Sequence, residues 1–451
     1  MMHRNSFIFS FKIILFILLS AVSIGIAGRV LNAKFINDST TIIDGFYAEK
    51  KNDIDVLIVG SSNSFCTIDP LVLYEEYGIA AYDFGSSSQP LNLSLLYLKE
   101  AFKRQNPKVV ALEVNMIPAN SLTAIPENRL RWGLTDIPLS IDKLTCLYQS
   151  LGKVDAEYMS YVFPILRYHG RWKEVSKSDY TYLWEDKTNM TKGYLTTKET
   201  TAESVDLSDY ESEGETWIED DVAACFEQIV RLCEQNGAKL VLFKSPRQQW
   251  YRYQTRAVAE LADKYGIEFI DYNERISEID LDVAADFRDG EHLNDFGAAK
   301  VTRHFGNWLS NYCVLPDRRE DDNPNSWDKA LQYRVREQTM PCEGTADITG
   351  CMELLAKDDN YVAVVTFGAD KSRLHQWIYR GGEVLYHKEW KEPGVEHYRI
   401  NKTDIVLART EATFQVMIND IEYYEPGNDW SVIVYDTVTD AVVDVVSYVN
   451  E

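Results

Sequence analysis

The chain has 451 residues, 45% of them hydrophobic and 12% aromatic, which is more than one typical domain needs; two or three domains with ample cores are expected. Its 46 Lys and Arg face 70 Asp and Glu, for a net charge of −24. A surface this acidic repels phosphate backbones, which excludes nucleic acid as a partner, and it disfavours strongly anionic glycans unless a site is locally basic.

Residues 1–35 carry the first signal. Arg4 precedes a mostly apolar stretch from Phe7 to Ala27, with Lys12 near its start. Such a span crosses a hydrocarbon core of about 30 Å as a helix, with Lys12 reaching back to the headgroups. A cleaved signal peptide is the alternative, since Ala21, Ser23, Gly25 and Ala27 lie near its end. No A-x-A site stands out, so the reading is an uncleaved membrane anchor with the bulk of the chain outside.

Strand and helix signals then alternate. "DVLIVG" reads as a fully buried strand. Asp69-Pro70 supplies a cap and a proline at the first helical position, opening "PLVLYEEYG", which Gly78 stops. "AAYDFG" is the second strand, Pro90 opens the helix "PLNLSLLYLKEAFKRQN", and "PKVVALEV" is the third strand. This order argues for an α/β domain over 50–315 with a mostly parallel sheet covered by helices.

The rhythm breaks over 116–221, read as an insertion or lid. It ends in "ESVDLSDYESEGETWIEDD", with nine acidic residues and no basic one, a solvated loop. The alternation resumes with the helix "VAACFEQIVRLCEQNG", the strand "AKLVLFKSP", the helix "QTRAVAELADKYG", the strand "IEFIDY" and a last helix from Asn294. Residues 316–334, containing "PDRREDDNPNS", read as a linker. Beyond it, "NYVAVVTFG", "EVLYHKEW", "DIVLART", "TFQVMIND" and "WSVIVYDT" read as strands of a small β-rich domain over 335–451. The seven cysteines show no CxxC spacing and no disulfide framework; only Cys342 and Cys351 are placed to suggest a bond. Neither thiolate ligation of a metal nor any other cofactor site is indicated, so none is expected.

Two stretches carry chemistry. "VLIVGSSNSF" ends a strand at Gly60 and then offers Ser61, Ser62 and Ser64. "FRDGEHLNDFG" places Asp289 three residues before His292, at the mouth of the last helix. A carboxylate at that spacing accepts the Nδ1–H of the imidazole and leaves Nε2 free as a base. A serine hydroxyl is a poor nucleophile without such a base. In a parallel sheet, residues just beyond strand C-termini converge on one edge, which brings both stretches to the same place. Taken alone, the serines are turn residues and Asp289 is a capping residue. A metal site from Asp289, His292 and Asp295 has no second histidine cluster to support it.

With Gly60-Ser61-Ser62 early and Asp289-x-x-His292 late, residues 50–312 resemble the GDSL/SGNH hydrolase family. "GSSNSFCTIDP", "YDFGSSSQ", "FPILRYHGRW" and "DGEHLNDFG" are similar to its membrane-anchored branch, which includes alginate O-acetylation proteins and the D-alanyl transfer protein of teichoic acid synthesis. The resemblance implies a three-layer SGNH-like fold, with Ser62 as nucleophile, His292 as base and Asp289 as its orienter. It also implies Gly85 as a backbone donor to an oxyanion. The family's G-x-N-D block has no counterpart, and Asn115 in "LEVNM" is the remaining donor candidate.

For substrate binding, Lys244 and Arg247 in "FKSPRQQW" offer a basic field, and His169 and Arg171 lie in an aromatic-rich stretch. Solvated surface charge is an equal reading of the first pair, and core or membrane-proximal packing is the commoner reading of the second. Trp377, Trp390 and Trp430 could stack on sugars, but core filling is the preferred reading. The implied function is extracytoplasmic acyl transfer or ester hydrolysis on a cell-envelope glycan, with a membrane-bound protein supplying the acyl group. The rival is a non-catalytic glycan-binding envelope protein on a relic fold.

Overall fold

The computed structural model describes residues 2–32, 37–118, 121–123, 125–201, 205–321, 325–368, 374–400, 403–410, 414–419, 421–423 and 430–449. The side chains of residues 2–10, Arg4 among them, lie outside the description. The chain divides into two compact units, Met1–Ala330 and Leu331–Glu451.

The first unit opens with helix α1 (Met2–Asn32), in which Phe11–Asn32 is long and apolar enough to cross a membrane. Helix α2 (Asp38–Ala48) follows; Asn37 and Thr40 form a reciprocal capping box at its start. The sheet comes next, five parallel strands in the order β2-β1-β3-β4-β5: β1 Val56–Val59, β2 Ala81–Asp83, β3 Val109–Glu113, β4 Lys239–Lys244 and β5 Glu268–Asp271. Val56 stands opposite Ala81 on one side and Val109 on the other. The strands are apolar on both faces because helices cover both.

On one face Val56, Ile58, Val109, Ala111, Val241 and Phe243 share a core with Leu73 of α4 (Pro70–Tyr77) and Val301, Phe305 and Leu309 of α13 (Asp295–Tyr312). The alternate residues Leu57, Val59, Val110, Leu112 and Leu242 are equally buried, toward α5 (Leu91–Ala101) and α11 (Asp220–Gln235). Asp69 caps α4 through the Leu71 N–H, and Gly78, at φ 70°, ends it. Between β1 and α4, Ser62–Phe65 form a single helical turn, α3.

The insertion is helical rather than loose. It holds α6 (Glu127–Leu134), α7 (Ile141–Leu151), α8 (Ala156–Val162), α9 (Ile165–Tyr168) and α10 (Lys177–Thr181). Its return path is bonded into the core: Leu195 N–H donates to Phe65 O (2.8 Å), Thr201 N–H to Phe287 O (3.0 Å), and Lys192 is fully buried against Glu49 at 2.7 Å. Val205 and Tyr210 are buried within the acidic tract, most of whose other described residues face solvent. Helix α12 (Arg252–Tyr265) links β4 to β5.

The linker reading needs correction. Arg318 makes a two-point bond to Asp55 (2.6 and 3.0 Å), and Trp327, 1% exposed, donates its Nε1–H to Ala81 O at 2.8 Å. These residues are part of the α/β unit, because a buried aromatic ring outweighs the polar composition around it. Residues 322–324 of that stretch lie outside the described residues.

The second unit contains α14 from Leu331 onward (the helix runs Ser326–Gln338), α15 (Ile348–Leu355) and nine described strands. One antiparallel sheet has the order β14-β13-β6-β7-β8, with β6 Tyr361–Phe367, β7 Leu374–Arg380, β8 Glu383–Trp390, β13 Trp430–Asp436 and β14 Ala441–Tyr448. The other has the order β12-β11-β10-β9, with β9 Gly394–Ile400, β10 Thr403–Arg409, β11 Phe414–Ile418 and β12 Ile421–Tyr423. Val364, Ile378, Leu407, Val416 and Ile433 belong to one core drawn from both sheets. Cys342 and Cys351 are disulfide-bonded, and both are buried.

Candidate active site

The order 2-1-3-4-5 reverses direction between β1 and β3, and clefts form beyond strand C-termini at such a switch point. Ser62 lies two residues past Gly60, where β1 ends. The approach is tight: a Cβ on Gly60 would stand 2.6 Å from Glu113 Cβ, and one on Gly85 2.7 Å from Gly60 O. Only glycine lets these three loops close on each other. Ser61 caps α3 through the Asn63 N–H (3.4 Å), and Ser64 Oγ donates to Ser61 O (2.9 Å) and Asp83 Oδ1 (3.0 Å). Of the three serines, this leaves Ser62 with its hydroxyl outward.

That hydroxyl meets His292 Nε2 at 2.8 Å. His292 Nδ1 stands 3.0 Å from both oxygens of Asp289, so Nδ1 carries the proton and Nε2 presents its lone pair to Ser62. Asp289 is held in turn by the N–H groups of Glu291 (2.8 Å) and His292 (2.9 Å). The bridge between Phe287 and Leu293 pins the base of this turn. Capping of α13 falls to Asn294, through the Phe296 and Gly297 N–H groups, while Asp295 accepts from Tyr194 and the Thr197 N–H. The cap therefore makes no demand on His292.

Burial lowers the His292 pKa from its ordinary 6.5, and the neighbouring Asp289 carboxylate only partly offsets this. For Asp289, burial alone would raise the value, but the Glu291 N–H, the imidazole and Arg288 together bring it below the ordinary 3.8. The pair is thus a neutral imidazole beside a carboxylate at neutral pH. If His292 acts as a base, kcat/KM rises with pH through a limb centred below 6.5 and is flat above it. A pH–rate profile on an acetyl ester measures this; a limb well above 6.5 would contradict the assignment.

Among family models, none matches the chain, and no curated protein is significantly similar to it.

The remaining candidates fall in different places. Gly85 lies against Gly60 and Ser64, beside the Ser62 turn. Asn115 follows β3 and its side-chain oxygen accepts from Arg247 Nη1 (3.2 Å), which turns its NH2 group away from Arg247. Arg247 also pairs with Glu291 at 2.9 Å, so its charge is spent between two site loops rather than offered to a ligand. Lys244 corrects the sequence reading outright. It is fully buried and donates to Asn63 Oδ1 (3.1 Å), Glu113 Oε1 (3.1 Å) and Ser245 O (2.9 Å), because an ammonium beneath a sheet edge needs a carboxylate and full hydrogen bonding.

His169 and Arg171 belong to another region. Arg171 is buried, bonds Asp179 and donates to the carbonyls of Val30 and Leu31 near the end of α1, and His169 is exposed in the same turn. Unsatisfied carbonyls at a helix C-terminus attract a guanidinium. A cavity of about 730 Å³ lies along α1, lined by Phe16, Ile24, Asp44, Asp136, Lys143 and Phe163 among others, and Ser62, Asp289 and His292 are not part of its lining. In the second unit Trp390 is buried and donates to Gln376 Oε1, whereas Trp377 and Trp430 are half-buried and stacked.

Sequence reasoning missed Glu113, Asn63 and Ser245. The usable signal was a charged residue closing each of two adjacent apolar strands, "VVALE" and "KLVLFK", whose C-terminal ends reach the same sheet edge.

Proposed function

We propose that this chain is a membrane-anchored, extracytoplasmic serine acyltransferase or esterase of SGNH type, acting on acyl esters of a cell-envelope polysaccharide. The observation that carries the reading is the 2.8 Å contact between Ser62 Oγ and His292 Nε2, with Asp289 behind the ring. Ser62 Oγ attacks the acyl carbonyl as its proton passes to His292 Nε2. The N–H groups of Ser62 and Gly85 and the Asn115 amide hold the oxyanion. Collapse of the tetrahedral intermediate expels the leaving group, which takes the proton from His292. A sugar hydroxyl or water then gives its proton to His292 and attacks the acyl-serine, and on collapse Ser62 Oγ leaves and takes that proton back from His292.

Three further features support the setting. The apolar helix suits an anchor, the switch-point location suits a small-substrate site, and a disulfide between Cys342 and Cys351 suits an oxidising compartment. Transfer is favoured over hydrolysis, with the acyl group delivered by a membrane-bound donor protein. Because Glu113 and Glu291 neutralise Lys244 and Arg247, the favoured acceptor is an uncharged glycan.

A fluorophosphonate probe tests the reading on the full chain extracted in detergent. Covalent labelling at Ser62 is expected, abolished by Ser62→Ala and strongly slowed by His292→Ala. One observation favours the non-catalytic reading: in the second unit His387, Trp377 and Trp430 form a half-exposed stacked row, with centroids 5.0 and 5.8 Å apart. Absence of labelling together with glycan binding that Trp377→Ala removes would favour that rival.

A further inference from the structure

Beneath the nucleophile turn lies an ion pair that the acyl-transfer chemistry does not consume. Glu113 closes β3 and Lys244 closes β4, and both side chains have no exposed surface. Their 3.1 Å contact is only one part of what they hold. Glu113 Oε2 accepts from Ser61 Oγ (3.3 Å) and from the Asn115 N–H (3.1 Å). Lys244 Nζ donates to Asn63 Oδ1 and to Ser245 O, while Ser245 Oγ donates to Asn63 O and accepts from Thr67 Oγ1 at 2.8 Å. The residue before Ser62, the residue after it, and the backbone of the oxyanion candidate are therefore tied to one buried pair.

We propose that Glu113 and Lys244 are positioning residues, which fix the Ser62 turn and the Asn115 loop in register so that nucleophile and oxyanion donors face a single point. The inference rests on the acyl-transfer reading above. Two loops leave neighbouring strands β1 and β3, and nothing in strand pairing alone sets the spacing of what lies beyond their ends. A single carboxylate oxygen, Oε2, bonded to both loops sets it, while Oε1 holds Lys244. Burial of the carboxylate requires a counter-charge, which Lys244 supplies from the adjacent strand; burial depresses the tendency of that amine to hold its proton, and Glu113 offsets part of that loss. The arrangement also accounts for Ser61. Its hydroxyl reaches the Glu113 carboxylate and so ties the Ser62 turn to the end of β3. Oxyanion donors displaced by a few tenths of an ångström lose much of their effect, because their value lies in preorganisation.

The test uses the full chain in detergent, with 4-nitrophenyl acetate turnover and the rate of fluorophosphonate labelling at Ser62. Ser61→Ala removes one tie without stranding a charge. The double variant Glu113→Gln with Lys244→Met removes the charges together, and Glu113→Asp keeps the charge but shortens the reach. Each is expected to lower kcat by about tenfold to a hundredfold, with KM little changed, labelling slowed in parallel, and the low-pH limb of His292 unmoved. A folded Ser61→Ala and a folded double variant with wild-type kcat would overturn the inference; should the double variant not fold, Ser61→Ala and Glu113→Asp decide. The two readings separate cleanly. If wild type and Ser62→Ala turn over alike, the catalytic reading fails and this inference falls with it; if turnover depends on Ser62 but not on Ser61 or Glu113, only this inference falls.

Discussion

Ser62→Ala is expected to reduce turnover of an acetyl ester by about 10⁴-fold to 10⁶-fold, and His292→Ala by a similar factor. The two side chains share one proton across a 2.8 Å contact, so removing either disables the same step. The double variant should therefore be no slower than either single one, because groups acting as a unit do not contribute additively. Asp289→Ala is expected to cost less, since the imidazole keeps its Ser62 contact and loses only the partner that fixes its tautomer. Steady-state rates on the detergent-extracted chain decide it. A His292→Ala variant retaining a tenth or more of wild-type activity would sink the assignment.

The second large effect concerns folding. Glu49→Ala leaves Lys192, which has no exposed side-chain surface, without its carboxylate partner at 2.7 Å and strands Ser326, whose hydroxyl bonds the other oxygen at 2.6 Å. Stranding one member of a buried ion pair costs about 3–5 kcal/mol. The urea midpoint of the α/β unit, followed by tryptophan fluorescence, is expected to fall sharply, since Trp327 lies 4.8 Å from the Lys192 ammonium. Replacing both partners, as Glu49→Leu with Lys192→Met, is expected to recover most of the loss, because the penalty lies in the lone charge rather than in the missing pair. A Glu49→Ala midpoint equal to wild type would show that water reaches Lys192.

The α/β alternation was legible because each buried strand is an unbroken apolar run bounded by a turn, and because Asp69-Pro70 and Gly78 punctuate α4 in the way helix ends require. The meeting of Ser62 with Asp289 and His292 was legible for a related reason: parallel strands deliver their following loops to one edge. Cations were misread because charge in a sequence carries no burial. Lys244 and Arg247 look alike in "FKSPRQQW", yet one lies wholly inside and the other bridges two loops. The polar composition of 316–334 hid Trp327 in the same way. In the second unit β7, β9, β12 and β14 went unread, since strands exposed on one face mix Arg, Glu and Asp with their apolar residues; in β14, Asp444 interrupts "AVVDVVSY" and is buried against the Cys342 N–H. The cap that defines α2 was readable in principle, but its short amphipathic turn lies in the shadow of the longer apolar helix before it.

The insertion's return path has a consequence for how this molecule can be cut and rebuilt. Its stretch from Lys192 to Thr201 is hydrogen-bonded to Phe65, at the end of the Ser62 turn, to Phe287, two residues ahead of Asp289, and to Asp295, three residues beyond His292. This makes the stretch a clasp joining the Ser62 turn to the Asp289–His292 turn, with Ser62 and His292 230 positions apart in the chain. The insertion is therefore two things in one segment: helices that can in principle be traded for others, and a short run that must stay. A circularly permuted or trimmed version that keeps 192–201 retains the clasp, whereas one that deletes the whole excursion is expected to separate Ser62 from His292 while leaving every strand of the sheet in place.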